Sequence, residues 1–403
     1  MTLKAHTLTH NETLPLKQLF GLSAGAGFSV ASIYYNQPII GLLSHAFHLK
    51  VSEVGLVPML TQIGYALGIL FLVPLGDMIN RKKLIITKLT LLCSALWLCS
   101  FASTFPYLLI ISLLIGILAT AAQDIVLASA AIAPSNQRGK SVGIVMTGLF
   151  SGILLSRVFS GIIGQFGGWE MIFQLAAASI LLLIIYFWFS LPSMPSQNTL
   201  TYKQIMGSLK PLWQQYPQLR QSVIAQGLLS IAFSAFWTTL AVFLAHNYGL
   251  GSATAGAFGL AGAAGAISAP LAGGLSDRIG ANKILLVSIS VVILSFIAML
   301  FIPLLAVHFQ IAFLVLCVIC FDFGINSSLV SHQTIVYSLK PEARGRLNSI
   351  LFTFVFIGMA IGSAAGGYLY QHVGWNGVLV LAIVSPLIAL IIRMKPATPT
   401  NLM

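Results

Sequence analysis

The chain has 403 residues, of which 58% are hydrophobic and only 7% are charged. Soluble globular proteins carry roughly 25% charged residues, so this composition excludes an ordinary soluble protein. The formal net charge of +12 is compatible with nucleic-acid binding, but the positions of the basic residues favour a different explanation.

Twelve apolar segments follow one another along the chain. A helix needs about 20 mostly apolar residues to cross roughly 30 Å of hydrocarbon. The first segment is too long for a signal-peptide core and lacks a clear small-residue cleavage site, so we expect it to be retained. The sequence therefore predicts an all-α membrane protein with twelve transmembrane helices. The predicted spans are 19–43, 54–75, 84–104, 107–132, 141–166, 171–191, 221–247, 252–275, 284–305, 309–338, 347–371 and 376–394.

The basic residues concentrate in alternate connections. They lie in or beside the N-terminal stretch, the loops after even-numbered spans and the C-terminal stretch; the exceptions are Lys50, in an opposite loop, and Arg157, deep in a span. Lys and Arg favour the cytoplasmic side, so we expect a multi-pass protein of the cell inner membrane with both termini in the cytoplasm. Topology and attraction to anionic lipid then explain the positive charge, and we expect no nucleic-acid partner.

The second half of the chain repeats the first. Arg138-Gly139 recurs 206 positions later as Arg344-Gly345. The same offset relates Gly152 to Gly358, Gly161 to Gly367, and Gly168-Trp169 to Gly374-Trp375. Parallel repeats of this kind predict two six-helix pseudo-symmetric bundles. The predicted divisions are a cytoplasmic N-terminus 1–18, bundles 19–191 and 221–394, a cytoplasmic linker 192–220 and a cytoplasmic tail 395–403.

Two loops resemble a family signature. Gly273-x-Leu275-Ser276-Asp277-Arg278-x-Gly280 is similar to the signature loop of the major facilitator superfamily, and Leu75-Gly76-Asp77-x-x-Asn80-Arg81-Lys82 resembles it in the first half. Further segments resemble a twelve-span bacterial branch near the sugar- and drug-efflux permeases. These segments are 33–38 (IYYNQP), 62–65 (QIGY), 236–239 (FWTT) and 346–348 (RLN).

This resemblance implies the major facilitator fold and a secondary active transporter. Such a protein moves a small organic solute across the cytoplasmic membrane by alternating access, and proton-coupled efflux is our first choice. Proton-coupled or facilitated uptake is the alternative. A membrane-embedded enzyme is disfavoured because the few acidic residues are dispersed along the chain. We expect a monomer without a catalytic site, a metal site or a cofactor, whose partners are the solute, protons and membrane lipid.

The signature loops predict a gate. An aspartate beside a helix end and a basic turn can bridge helices when the cytoplasmic side is shut. A simple topological anchor is the alternative role for these charges. The predicted gating residues are Asp77, Arg81, Lys82, Arg138, Asp277, Arg278 and Arg344.

Three charged residues stand out deep inside predicted spans: Asp124, Arg157 and Asp322. A charge at the bilayer centre costs about 2.5–3.5 kcal/mol, so each is a candidate for proton coupling. Asp124 lies roughly 12 Å from the cytoplasmic end of its span, whereas Arg157 and Asp322 lie roughly 27 and 26 Å from theirs. Depth therefore argues against an Asp124–Arg157 pair and favours an ion pair between Arg157 and Asp322; the alternative is that each is satisfied within its own half.

Asp124 is the preferred proton carrier among these residues. Apolar surroundings favour the uncharged form of a carboxyl group, so access to either side of the membrane could load or release a proton. The alternative is a structural carboxyl group that is hydrogen-bonded to Thr120 or Gln123.

Polar and aromatic residues recur on one face of several spans. In the tenth span, Asp322, Asn326, Gln333 and Tyr337 fall within about 60° at 100° per residue. Such faces inside a bundle suit a solute with hydroxyl, amide or ring groups, although they can instead hold helices together. We also expect Pro38 to open the first span locally. The predicted substrate-binding residues are Tyr34, Tyr35, Asn36, Gln37, Gln62, Tyr65, Gln123, Gln226, Trp237, Asn326, Gln333 and Tyr337.

Overall fold

A computed structural model describes residues 15–134, 137–195 and 201–395, without the side chains of residues 263–267, 269–270 and 277. Across these ranges every regular element is helical. The helices are α1 (Leu16–Ala31), α2 (Ile40–Phe47), α3 (Val51–Val54), α4 (Leu56–Leu67), α5 (Arg81–Cys99), α6 (Phe105–Ala119), α7 (Ala121–Ile132), α8 (Arg138–Ser190), α9 (Tyr202–Gly207), α10 (Leu209–Gln215), α11 (Pro217–Tyr248), α12 (Ser252–Ala257), α13 (Ala263–Ile279), α14 (Ala281–Met299), α15 (Val307–Leu339), α16 (Arg344–Val373) and α17 (Trp375–Met394).

Eight helical stretches of the described chain are long and apolar enough to cross a membrane. The longest is α8, whose 53 residues contain the fifth and sixth predicted spans. The remaining predicted spans are not among these eight, because their helices are interrupted or begin with basic residues. The first is interrupted between Ala31 and Ile40, around Pro38, as the sequence predicts.

A glycine makes the same turn in both halves. Gly168 has φ +83° inside α8, and Gly374 has φ +78° between α16 and α17. This backbone conformation is open to glycine and strained for other residues. The chain therefore reverses at equivalent points of the repeat, and the following residue, Trp169 or Trp375, begins the next span.

The repeat also determines how helices pack within each half. Helix α8 packs on α1 where Gly152 faces Gly27, and α16 packs on α11 where Gly358 faces Gly227. A methyl group at Gly152 or Gly358 would clash with the carbonyl group of the facing glycine. Each half has its own buried apolar core. The fold is thus all-α, with two pseudo-symmetric six-helix bundles.

Part of the predicted linker is helical. Helices α9 and α10 occupy part of it, and α11 begins at Pro217. Leu212 of α10 is buried against the ends of α15 and α16, and the Trp213 ring stacks on Phe354 at 5.2 Å. The linker therefore docks on the second half.

Both helical bundles begin and end on one side of the molecule. Gln18, near the start of α1, donates to the Ser190 carbonyl at the end of α8 (2.8 Å). Gln221, near the start of α11, donates to the Lys395 carbonyl after α17 (3.3 Å). We call this side the terminal side and the opposite side the far side.

Candidate functional site

A cavity of about 720 Å³ lies between the two bundles. Its mouth is on the terminal side, where Asp77, Glu342 and Arg346 line it, and its inner end reaches Arg157 and Asp322. Small-molecule sites typically have volumes of about 300–1,000 Å³. The cavity therefore has the size of a binding site for an organic solute and opens to one side.

Arg157 is held at the inner end by a polar contact and three aromatic rings. The side chain is 1% exposed, and its Nε donates to Oε1 of Gln37 at 2.8 Å. The guanidinium carbon lies 4.9 Å from the ring centre of Tyr34, 5.6 Å from that of Phe233 and 4.2 Å from that of Trp237. Cation–π contacts of this kind stabilise a desolvated guanidinium group. Its Nη2 has no hydrogen-bond partner among the described residues.

Asp322 faces the same end of the cavity from α15. It is 3% exposed, and its Oδ1 has no hydrogen-bond partner among the described residues. The predicted Arg157–Asp322 ion pair is wrong for this structure, because no salt bridge within 4.0 Å joins them in the described chain. The aromatic rings and Gln37 hold the guanidinium group instead. The two charges share the cavity without neutralising each other by direct contact.

Seven of the twelve predicted substrate-binding residues line the cavity. The predicted polar face of α15 is among them, since Asp322, Asn326, Gln333 and Tyr337 all lie along the wall. Tyr337 donates to Oδ1 of Asn348 at 2.5 Å and accepts from Gln333 at 3.3 Å. The seven lining residues are Tyr34, Tyr65, Gln123, Gln226, Asn326, Gln333 and Tyr337.

The other five predicted residues lie outside the cavity wall. Gln37 and Trp237 line a void of about 10 Å³ beyond Arg157. Asn36 donates to Thr61 at 3.3 Å, and Gln62 donates to Ser234 of the second half at 3.1 Å. Tyr35 is buried, and its backbone carbonyl accepts from Ser160 at 2.9 Å. Their contacts in this structure hold helices and charges in place.

Asp124 is buried in an ion pair that the sequence analysis missed. Its Oδ2 lies 2.6 Å from Nζ of Lys88, and the two side chains are 0% and 3% exposed. Lys88 also donates to Thr120 at 3.1 Å. The sequence analysis grouped Lys88 with the basic residues in or beside loops and gave it no role, whereas its side chain is buried in the second turn of α5. An i, i+4 count from Leu84 would have placed it on the buried face with Leu84 and Leu92.

The predicted gating residues lie on the terminal side. Arg81 binds Asp77 at 2.9 Å and also donates to the Gly76 carbonyl at 3.1 Å. Lys82 donates to the Trp188 carbonyl at 2.8 Å, and Arg344 donates to the Tyr337 carbonyl at 3.4 Å. Arg138 and Arg278 are exposed, and the side chain of Asp277 lies outside the described residues.

Two seams between the bundles close the far side. In the first, α8 meets α12: Ser252 donates to the Gly161 carbonyl at 3.0 Å, and a methyl group at Gly161 would lie 2.9 Å from the Cα of Gly256. In the second, α16 meets α3 and α4: Ser363 donates to the Gly55 carbonyl at 2.9 Å, and a methyl group at Gly367 would lie 3.1 Å from the Val51 carbonyl. Gly161 and Gly367 are equivalent in the repeat, so pseudo-symmetric glycines form both seams.

Several apolar wall residues were not foreseen. Helix α16 contributes Phe352, Val355, Phe356 and Met359, and the Phe356 ring packs on that of Tyr65 at 4.4 Å. In the sequence, apolar residues that face the cavity look the same as those that face lipid. Among the described residues, no cluster of three or more His, Cys, Asp or Glu side chains could hold a metal ion.

The comparisons with known proteins agree with this architecture. The sequence profile of the Major Facilitator Superfamily matches residues 22–339 and 313–402. The putative uncharacterized transporter YgaY of Escherichia coli (strain K12) is 34% identical over 374 residues, which cover 92% of this chain and 93% of that protein. The probable transporter SCO4007 of Streptomyces coelicolor is 32% identical and covers 88% of this chain and 81% of its own length.

Solved structures show the same fold at low identity. A bacterial homolog of the human lysosomal transporter Spinster, in an inward-facing and unoccupied conformation, has a TM-score of 0.71 at 15% identity and covers 94% of each chain. The nucleoside transporter NupG, in a mutant form, has a TM-score of 0.73 at 13% identity and covers 93% of this chain and 98% of its own. The chain is a multi-pass membrane transporter that belongs to the Major Facilitator Superfamily.

Proposed function

We propose that this transporter exports a small organic solute across the inner membrane in exchange for protons. Both termini are cytoplasmic in this proposal, since the basic loops lie on the terminal side. The cavity then opens to the cytoplasm, where an exporter collects its solute. The observation that carries the proposal is a cavity open on one side, closed on the other by two seams, with Arg157 and Asp322 unpaired at its inner end.

The seams support alternating access. The first is made of backbone contacts and two hydrogen bonds between the bundles, from the Ser252 hydroxyl group and to the Gln165 side chain, and the second of backbone contacts and one hydrogen bond from the Ser363 hydroxyl group. Hydrogen bonds between membrane helices contribute on average about 0.6 kcal/mol each. Such contacts can separate when the bundles rotate, while the glycines allow close approach when the seams form again. We propose that the monomer works by this motion, and that Asp77, Arg81 and Arg344 help to close the terminal side in the other state.

We propose that Asp322 carries the coupled proton and that Arg157 positions it electrostatically. Asp322 lines the cavity, and its buried Oδ1 has no hydrogen-bond partner among the described residues. Asp124 is less suited to this role, because Lys88 binds it and it is absent from the cavity wall described above. A proton on Asp322 would weaken its attraction for a cationic group, so proton and solute would compete at one site.

The test is solute flux in liposomes with an imposed pH gradient. Purified protein is reconstituted and offered labelled amino acids, sugars, nucleosides and amphipathic cations. Exchange of solute for protons predicts that a solute accumulates in liposomes with an acidic lumen, because outward proton flow drives solute inward irrespective of protein orientation. Accumulation from an acidic exterior would mean symport and uptake. Equilibration without accumulation would mean facilitated diffusion.

Two matched variants locate the proton site. Asp322→Asn should abolish accumulation driven by the gradient, whereas Asp124→Asn should retain it at a reduced amount of folded protein. The opposite result would indicate that Asp124, and not Asp322, carries the coupled proton.

A further inference from the structure

The inner end of the cavity offers one positive and one negative group to a single bound molecule. Nη2 of Arg157 and Oδ1 of Asp322 have no hydrogen-bond partners among the described residues, although both side chains are more than nine-tenths buried. Buried polar groups without partners are costly, by about 1–3 kcal/mol and more for charged groups. A solute that pairs with both groups would therefore relieve this cost and gain binding energy.

The two groups lie close enough for one small solute to reach both. A methyl group at Gly259 would lie 2.9 Å from Cβ of Arg157, and one at Gly262 would lie 2.6 Å from Oδ2 of Asp322. Residues three apart on a helical turn have Cβ positions about 5–6 Å apart. The arginine stem and the carboxylate thus flank one turn within the eighth span, in the second half, beyond direct ion-pair distance.

The contacts of Arg157 leave an edge suited to a carboxylate. The rings of Tyr34 and Trp237 contact the guanidinium group, and Gln37 accepts a hydrogen bond from its Nε. Nη2 is buried and has no partner among the described residues, so it can donate to a carboxylate oxygen in a charge-assisted hydrogen bond when the side chains around it move to admit the solute. Asp322 can accept from an ammonium group in the same way. An uncharged solute would leave both charges unpaired, and a singly charged solute would leave one of them unpaired.

Part of the wall beside these charges is apolar, although Asn326 lies one turn along α15 from Asp322. Leu154 and Phe233 line the inner end of the cavity from the two halves, and Ile325 lies one turn along α15 from Asp322. Such walls favour an aliphatic or aromatic side chain over a polar one.

We propose that the solute is a zwitterion with a carboxylate and an ammonium group on neighbouring atoms and an apolar side chain: an apolar or aromatic α-amino acid. This inference rests on the proposed function and names its solute class. Arg157 binds the carboxylate, Asp322 binds the ammonium group, and the side chain points toward the apolar wall. Recognition of both charges excludes amines and N-acylated acids of the same shape.

The test compares each amino acid with two compounds that lack one charge. Binding of L-leucine, L-methionine and L-phenylalanine to purified protein is measured by calorimetry, beside their N-acetyl derivatives and the corresponding amines. At least one amino acid should bind at least tenfold more tightly than both of its counterparts. The proposal is overturned if no amino acid shows this preference, a result that depends on the wild-type protein alone.

Variants assign each charge to its partner. Asp322→Asn should remove the preference over the N-acetyl derivative, and Arg157→Gln should remove the preference over the amine. Glu170→Gln, a matched carboxylate change outside the cavity wall, should keep both preferences. Folding of each variant is checked by its elution as a single species. Preferences that survive in both site variants would overturn the assignment.

Flux separates this inference from the proposed function. If the pH gradient drives only sugars, nucleosides or cations, the zwitterion proposal is wrong and the exporter proposal stands. If no offered solute moves against its gradient, the exporter proposal is wrong, whatever binding shows.

Discussion

The buried pair of Lys88 and Asp124 gives the sharpest stability prediction. The ammonium nitrogen lies 2.6 Å from the carboxylate, and both side chains are almost completely buried. Replacing Lys88 by Met leaves the carboxylate buried without its charged partner. Breaking a buried ion pair from one side typically costs about 3–5 kcal/mol, whereas replacing both partners by apolar residues is often neutral. We therefore expect Lys88→Met to destabilise the protein strongly and Lys88→Met/Asp124→Leu to recover most of the loss.

The assay is thermal unfolding of purified protein in detergent, followed by intrinsic fluorescence. In large domains, 1 kcal/mol shifts the melting temperature by about 2–4 °C or less, so Lys88→Met should lower it by roughly 5–10 °C. Lys83→Met is the matched control, because Lys83 is exposed on the same helix; it should change the melting temperature by about 1 °C at most.

A strictly additive double variant, as unstable as the two single changes together, would refute this reasoning. The double variant also tests function, since a purely structural pair predicts that flux driven by the pH gradient survives its replacement. Loss of coupling in a well-folded double variant would make Asp124 a proton carrier after all.

Three further changes probe contacts between elements. Gly367→Ala should weaken the second seam, but less than Gly161→Ala weakens the first. Its methyl group would meet the Val51 carbonyl at 3.1 Å, a distance that small shifts relieve. Hydrogen–deuterium exchange of residues 51–57 should become modestly faster, and an unchanged exchange rate would contradict this. Gln62→Ala removes a hydrogen bond to Ser234 between the halves and should favour the state open on the far side by about 0.5–1.5 kcal/mol. Hydrogen–deuterium exchange of residues 51–57 should then become faster, and slower exchange would contradict this. Trp213→Ala removes the ring stacked on Phe354 and should release the linker, read as faster proteolysis within 201–216, with no change in the far-side peptides.

The sequence predicted the fold because its signals are periodic and repeated. Apolar segments of the right length, alternating basic loops and the 206-residue offset all follow from the printed chain. The glycine-tryptophan ends of the repeat mark true turns, as the positive φ of Gly168 and Gly374 shows. Helix interruptions could be expected only where proline signals them, as at Pro38.

The site was only partly predictable. The polar face of α15 follows from helical spacing, and the cavity contains it. Which partner each charge takes does not follow from depth: Arg157 contacts aromatic rings and Gln37 in place of Asp322, and Lys88 reaches Asp124 from another helix. These choices depend on how helices are rotated against one another, and single-sequence spacing carries no information on that rotation.

Alternating access requires the two sides of the cavity to open in turn, and Gly161→Ala forces this change at the first seam. The added methyl group would clash with the carbonyl oxygen of Ser252 and lie 2.9 Å from the Cα of Gly256, whereas ordinary contacts begin near 3.4 Å. Overpacking of this kind typically costs about 1–3 kcal/mol, which corresponds to a roughly 5- to 150-fold shift between two states. Gly143→Ala is the matched control on the same helix, because its methyl group would meet no atom within 4 Å.

The measurement is a pair of spin-label distances between the bundles. The four cysteines (Cys93, Cys99, Cys317 and Cys320) are first replaced. One label pair replaces the exposed His45 and His308 on the far side, and the other replaces the exposed Lys140 and Glu342 on the terminal side. In Gly161→Ala the account predicts a longer far-side distance together with a shorter terminal-side distance, and neither change in Gly143→Ala. A far side that opens while the terminal-side distance stays the same or grows would contradict alternating access.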